Sequence, residues 1–198
     1  KVKGLQQAWR LREETWNLSL GIEALGQSIE ADVFHLYSLK SGTLHGSVLL
    51  NYFVVGAPAN EWRIEVPEDL GNVDVTGLNV GRDWRREGNR VIVPLSSPVL
   101  GAGTVLLTFE KAMNPRGGSL TPGQVKPLGV RSERGFVQVV SPMQVKHEVT
   151  TDGALLPIDA SELPAEFRLL SSAPTIGVWQ YTAREVSINL DIDSYQVG

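Results

Sequence analysis

The chain has 198 residues, of which 42% are hydrophobic and 20% charged, with a formal net charge of -4 and no cysteine. This composition excludes disulfides, thiolate catalysis and cysteine-held metals, and it gives the molecule no overall electrostatic attraction for nucleic acid or anionic lipid. The proportions are those of a globular chain with a sizeable core, and no apolar run is long enough to cross a bilayer as a helix, so no membrane insertion by this segment is expected.

Residues 1–15 are read as strand, because Trp9 and Leu11 alternate, although Leu5, Ala8, Trp9 and Leu11 also fit a short helix. In residues 16–22 the apolar Trp16, Leu18, Leu20 and Ile22 alternate with Asn17, Ser19 and Gly21. That two-residue period predicts a half-buried strand with Trp16 on its core face. Strands follow over 28–39 and 44–55, joined by a turn at Lys40, Ser41 and Gly42. Residues 48–55 are apolar on both faces, as in a strand covered on both sides.

Gly56, Ala57, Pro58, Ala59 and Asn60 read as a turn, after which Trp62, Ile64 and Val66 alternate with Arg63 and Glu65 until Pro67 ends the strand. Val73 and Val75 open another strand. Arg86, Glu87, Gly88 and Asn89 read as a hairpin tip between Trp84 and Val91, and a further strand covers 104–111. Hairpin-length spacings of this kind imply antiparallel neighbours.

Residues 114–129 carry Pro115, Gly117, Gly118, Pro122, Gly123, Pro127 and Gly129, a density of breakers that predicts no regular element. The segment is read as a crossover between two sheets, with a functional loop or a sub-domain boundary as alternatives. Strands are then expected over 136–140, 143–150, 176–183 and 186–193. Asp159 and Glu162 have capping-box spacing ahead of Leu163, Phe167 and Leu170, and Pro164 restricts that helix to a short piece. Strands that alternate in this way must bury their apolar faces against a second layer. The fold class is therefore all-β: a large, mainly antiparallel β-sandwich of two packed sheets with at most one or two short helices. A flattened barrel is the alternative, and residues 1–198 are expected to be a single domain excised from a longer protein.

Chemistry is sparse. No nucleophile elbow or phosphate loop is present, and His35, His45 and His147 lie in strand segments where a solvated or core-edge role is the ordinary one. His147-Glu148 lacks the second histidine of a zinc protease helix, since position 151 is Thr. Asn189, Asp191 and Asp193 share one strand face, yet same-face neighbours are roughly 6.6 Å apart, too far for one cation, and they read as the wet face of an edge strand. Hence no catalytic residue, metal or cofactor is assigned. Arg82, Arg85, Arg86 and Arg90 cluster beside Trp84, a solvated turn first and an anion or planar-ligand patch second. The candidate ligand-binding residues are Trp84, Arg85 and Arg86, with Trp179 and Tyr181 as an exposed aromatic platform for a glycan or peptide. Trp62 is assigned to the core. Asn17, Leu18 and Ser19 form a glycosylation acceptor that falls inside an expected strand.

The stretch Trp62 to Pro67, then 73–80, Trp84, 91–95 and 104–111, resembles segments of large bacterial envelope proteins of unknown function, where a strand ending in valine-proline, a bend, a lone tryptophan hairpin and a further strand follow in order. Leu163-Pro164 and Trp179-Gln180-Tyr181 look like the same company, and the resemblance covers about half the chain. It implies an extracytoplasmic β module, in the periplasm or at the cell surface, and no activity. The expected function is a non-catalytic structural or interaction module, partnered by another protein or by neighbouring domains of the same parent chain. The alternatives are a carbohydrate-binding module using exposed aromatics and a hydrolase with paired carboxylates.

Overall fold

A computed structural model describes residues 8–10, 12, 14–19, 21, 23, 25–40, 42–143, 145–183 and 185–194. The strands in chain order are β1 (Ser28–Lys40), β2 (Thr43–Glu65), β3 (Gly71–Thr76), β4 (Arg85–Glu87), β5 (Arg90–Ala112), β6 (Gly117–Leu120), β7 (Lys126–Leu128) and β8 (Ser132–Val140). They are followed by β9 (Val145–Thr151), β10 (Leu156–Pro157), a 3₁₀ turn (Ala160–Glu162), α1 (Ala165–Arg168), β11 (Thr175–Tyr181) and β12 (Ile188–Ser194). Nine strands form one sheet in the order β10-β11-β8-β1-β2-β5-β3, with β4 added to β5 and β7 to β2. The other sheet has the order β6-β12-β9. The fold is thus an all-β sandwich. Its pairs are antiparallel except β1 with β8, which run parallel across a long connection.

Side-chain alternation sorts the large sheet into two faces. Val33, Tyr37 and Leu39 of β1, Val48, Leu50 and Tyr52 of β2, and Val105, Leu107 and Phe109 of β5 point inward, where Leu120, Ile188, Leu190 and Ile192 of the small sheet join the same core. The outer face is covered only at its centre. There Phe34, Leu36, Val140 and Val178 pack under Leu163 and Phe167, and the Phe34 and Phe167 rings stack at 4.6 Å. The expected capping box holds this short cover: the Ser161 amide donates to the Asp159 carboxylate at 2.8 Å, and the Asp159 amide donates to Glu162 at 2.8 Å. The hydrogen bonds from Ser161 hold the Asp159 carboxyl below its usual range. Pro164 divides the segment into a 3₁₀ turn and a single α-turn, because proline cannot donate into a continuing helix.

Several expectations need correction. Residues 56–60 do not turn the chain. β2 runs through them, with Gly56 at φ +85 and register shifts between Val54 and Glu61, opposite Gly101 of β5 at φ +84. Glycine there lets two long paired strands bend together without breaking their ladder. Nor is the segment 114–129 without regular structure. Its glycines sit at positive φ while β6 pairs with the small sheet and β7 with the large one, so the chain crosses from one layer to the other and back. Residues 14–19 form no strand. Trp16 is 63% exposed, and every described residue from 8 to 27 is exposed, because among the described residues no strand pairs with this segment. Asn17 is therefore not in a strand, while Leu20 and Ile22 lie outside the described residues. Finally, Phe53 and Val55 are each 53% exposed, so the doubly apolar run of β2 is covered on both sides only as far as Leu49.

Candidate functional site

The strands β1, β8 and β11 carry polar groups on both faces, and the two sets differ in burial. On the inner face, His35 and Tyr37 of β1, Glu133 of β8 and Tyr181 of β11 all lie at or below 9% exposure. The Tyr181 hydroxyl donates to Glu133 Oε1 at 2.9 Å, and its oxygen lies 3.0 Å from His35 Nε2. Tyr37 donates to the Gly123 carbonyl at 2.6 Å and stands 3.4 Å from His35 Nδ1. Gly135 makes this possible. It pairs with Tyr181 across the ladder, and a Cβ on it would collide with the tyrosine ring.

Burial governs the protonation of these groups. It pushes His35 down to about 3, so the imidazole is neutral. It raises the Tyr37 hydroxyl, and it raises Tyr181 together with the nearby Glu133 charge. The same two causes raise Tyr52, whose buried hydroxyl has no hydrogen-bond partner among the described residues and whose ring stacks on Trp62 at 4.1 Å. A buried hydroxyl left unpaired costs about 1–3 kcal/mol. His35, Tyr37 and Tyr181 are buried between the sheets, whereas Glu133 and Tyr52 also border the concavity on the outer face.

On the outer face, the even-numbered positions of β1 and β8 continue past the helical cover into a concavity of 710 Å³. Asp32, Asn51, Phe53, Ser132, Arg134 and Thr182 are among its walls. Arg134 holds Asp32 in a two-pronged pair, Nε to Oδ1 at 2.7 Å and Nη2 to Oδ2 at 2.8 Å, which raises the guanidinium further. Arg131 and Glu30 pair beside it at 2.6 Å. The volume is in the range of ligand clefts, though the floor is a sheet surface and its charges are already matched. Of the two clusters the sequence points only to Tyr181, as a surface residue, and to His35, as an ordinary strand histidine; the alternation of β1, which puts Asp32 and Phe34 on one face and His35 and Tyr37 on the other, was the usable signal.

The residues singled out from the sequence are scattered. Trp179 and Tyr181 are 8% and 2% exposed, so the expected surface platform is corrected to a core pair. They share one core with Leu120, Ile188, Leu190 and Ile192 of the small sheet, with Trp179 lying over Gly177 and Tyr181 over Gly135. Trp84 is half-buried against the core at the far side of the large sheet, separated from β11 by β8, β1, β2 and β5. Arg85 pairs with Glu87 at 2.7 Å on the surface. Arg86 turns inward, donating to the carbonyls of Leu70 and Pro67, both at 2.7 Å, and to Gly88 at 3.1 Å. It fastens the bend after β2, a role a five-donor planar cation fills well. Asn189, Asp191 and Asp193 lie on β12, the central strand of the small sheet and not an edge. Asn189 accepts from Ser119 and Thr121 at 3.0 and 3.1 Å. Among the described residues no group of three or more metal-ligating side chains exists, and no helix is long and apolar enough to cross a membrane.

No protein-family profile matches the chain, and no curated protein matches its sequence. Among solved structures it is similar to a two-domain M1 zinc metallopeptidase bound to L-tryptophan, at 12% identity and TM-score 0.45 over 84% of this chain and 43% of that one. It is similar to native yeast LTA4 hydrolase at 12% identity and TM-score 0.46, over 87% of this chain and 30% of that one. An M1 zinc metallopeptidase from Deinococcus radiodurans gives 13% and 0.44, over 84% and 42%. The chain spans less than half the length of each of these structures. Likenesses at that level carry no functional argument.

Proposed function

We propose that this chain is a non-catalytic interaction module of a larger extracytoplasmic protein, and that the open part of the large sheet's outer face docks a neighbouring domain or partner protein. The observation that supports this reading is the composition of that face. Beside the helical cover it offers a concavity of 710 Å³ in which the exposed Phe53 adjoins charges held in matched pairs, Asp32 with Arg134 and Glu30 with Arg131. An aromatic ring amid pre-ordered arginines is the composition enriched where proteins meet. A catalytic pair would instead need titratable groups accessible to a substrate, and His35 has 0% exposure.

Pull-down from the native host with the described domain as bait tests it. Capture of a stable partner or of the parent assembly, abolished by Phe53→Asp, is the expected result. Capture that Phe53→Asp leaves intact, or repeated failure to capture anything, overturns it. A second reading, a carbohydrate-binding module, is favoured by the same exposed ring, since an aromatic face beside Asn51 and Asp32 suits a sugar with its hydroxyls. A glycan array decides that reading, and silence across the array at millimolar ligand rejects it.

A further inference from the structure

The proton count around His35 leaves one acceptor unmatched. Tyr181 has a single hydroxyl proton, and it goes to Glu133 Oε1 at 2.9 Å. The contact between Tyr181 and His35 Nε2, at 3.0 Å, must therefore be donated by the ring nitrogen. A neutral imidazole carries one N–H, so Nδ1 is a bare acceptor. Its neighbour at 3.4 Å is the Tyr37 hydroxyl, whose only proton is committed to the Gly123 carbonyl at the much shorter distance of 2.6 Å. Two oxygen or nitrogen lone pairs thus face each other inside a core where His35 has 0% exposure.

Beside them lies a cavity of 40 Å³ between the sheets, lined by His35, Tyr37, Thr121, Gln124 and Ser187. A water needs roughly 10–15 Å³ measured in this way, together with two to four polar partners. Both conditions are met here. Gln124 accepts from the Val186 amide at 3.1 Å and hydrogen-bonds Tyr181, so its amide stands at the wall of the cavity.

We infer that this cavity is a structural water site, in which one water donates to His35 Nδ1 and to the Tyr37 oxygen and accepts from the Ser187 hydroxyl. The bound water converts two opposed lone pairs into a continuous chain from Glu133 through Tyr181, His35 and Tyr37 to Gly123. That chain links β8, β11 and β1 of the large sheet to the segment that leads out of the small one. The Nε2–H form of the imidazole is set by the contact with Tyr181, and the water's donation to Nδ1 requires that same form.

Three measurements on the unaltered chain test the inference. A crystal structure at a resolution where ordered waters are visible should show density within about 2.7–3.2 Å of both His35 Nδ1 and the Tyr37 oxygen. Long-range proton–nitrogen NMR of the His35 ring should show Nε2 protonated and Nδ1 bare. The same crystals pressurised with xenon should show none in this cavity, because dry apolar cavities take up xenon and wet ones do not. Xenon occupancy, an empty cavity, or a proton on Nδ1 would each overturn the proposal.

Discussion

Glu133 and Arg134 are adjacent in β8, and each forms a hydrogen bond of similar length, 2.9 Å to Tyr181 and 2.7 Å to Asp32. One bond is sealed between two sheets. The other stands on an open face, where its two side chains retain 64% and 40% of their exposure. Equal geometry therefore does not mean equal energy. Around Glu133 a missing partner leaves a desolvated polar group, whereas around Arg134 water replaces a lost partner. A step of one residue along a strand decides between the two situations.

The comparison is broken most severely from the inner side. Gly135→Val places a side chain where the Tyr181 ring lies, so overpacking and the loss of the polar chain combine; a destabilisation on the order of 4 kcal/mol is expected in a denaturant midpoint. Acid attacks the same cluster. His35 is held neutral down to about 3, whereas its unfolded value is 6.5, so between those limits the unfolded chain binds a proton that the fold refuses. The contribution of His35 is then intact above pH 6.5 and is lost as pH falls towards 3, with a slope approaching about 1.4 kcal/mol per pH unit. Thermal melts from pH 7 to 4 should show this decline, and His35→Leu should flatten it. Its neighbours Tyr37 and Tyr181, both raised by burial, stay protonated throughout that range.

Smaller effects sharpen the contrast. Tyr181→Phe keeps the ring over Gly135 but removes the donor to Glu133 and the acceptor for His35, a loss of about 2 kcal/mol in calorimetry or chemical unfolding. Asp32→Ala on the outer face should cost less than about 1 kcal/mol, and that cost should shrink in high salt. A loss from Asp32→Ala as large as that from Tyr181→Phe would show that burial is not what separates the two faces.

The alternating patterns were legible where the chain had a partner. Residues 186–193 and 16–22 show the same period, yet only the former is clamped, between β6 and β9, while Trp16 and Leu18 remain exposed. Periodicity states which residues would share a face, and a neighbouring strand must then supply the hydrogen bonds that make the face exist. The short helical cover was also legible, since the Asp159 and Glu162 cap is a local interaction. The candidate sites were not. Trp179 and Tyr181 looked available because the sequence does not tell which side of β11 meets the second sheet. His35 gave no sign that Glu133, nearly a hundred residues onward, would reach it through Tyr181.

The sequence by itself determined the all-β class, the inward residues of the main strands, the hairpin at Gly88 and the capping box, all set by contacts within a few residues or by the two-residue period. Tertiary structure alone decided the parallel pairing of β1 with β8, the bends at Gly56 and Gly101, and the burial of His35. It also left the Asp32 face open. These features depend on which layer covers which face, and that follows from long-range pairing energies that no local pattern encodes.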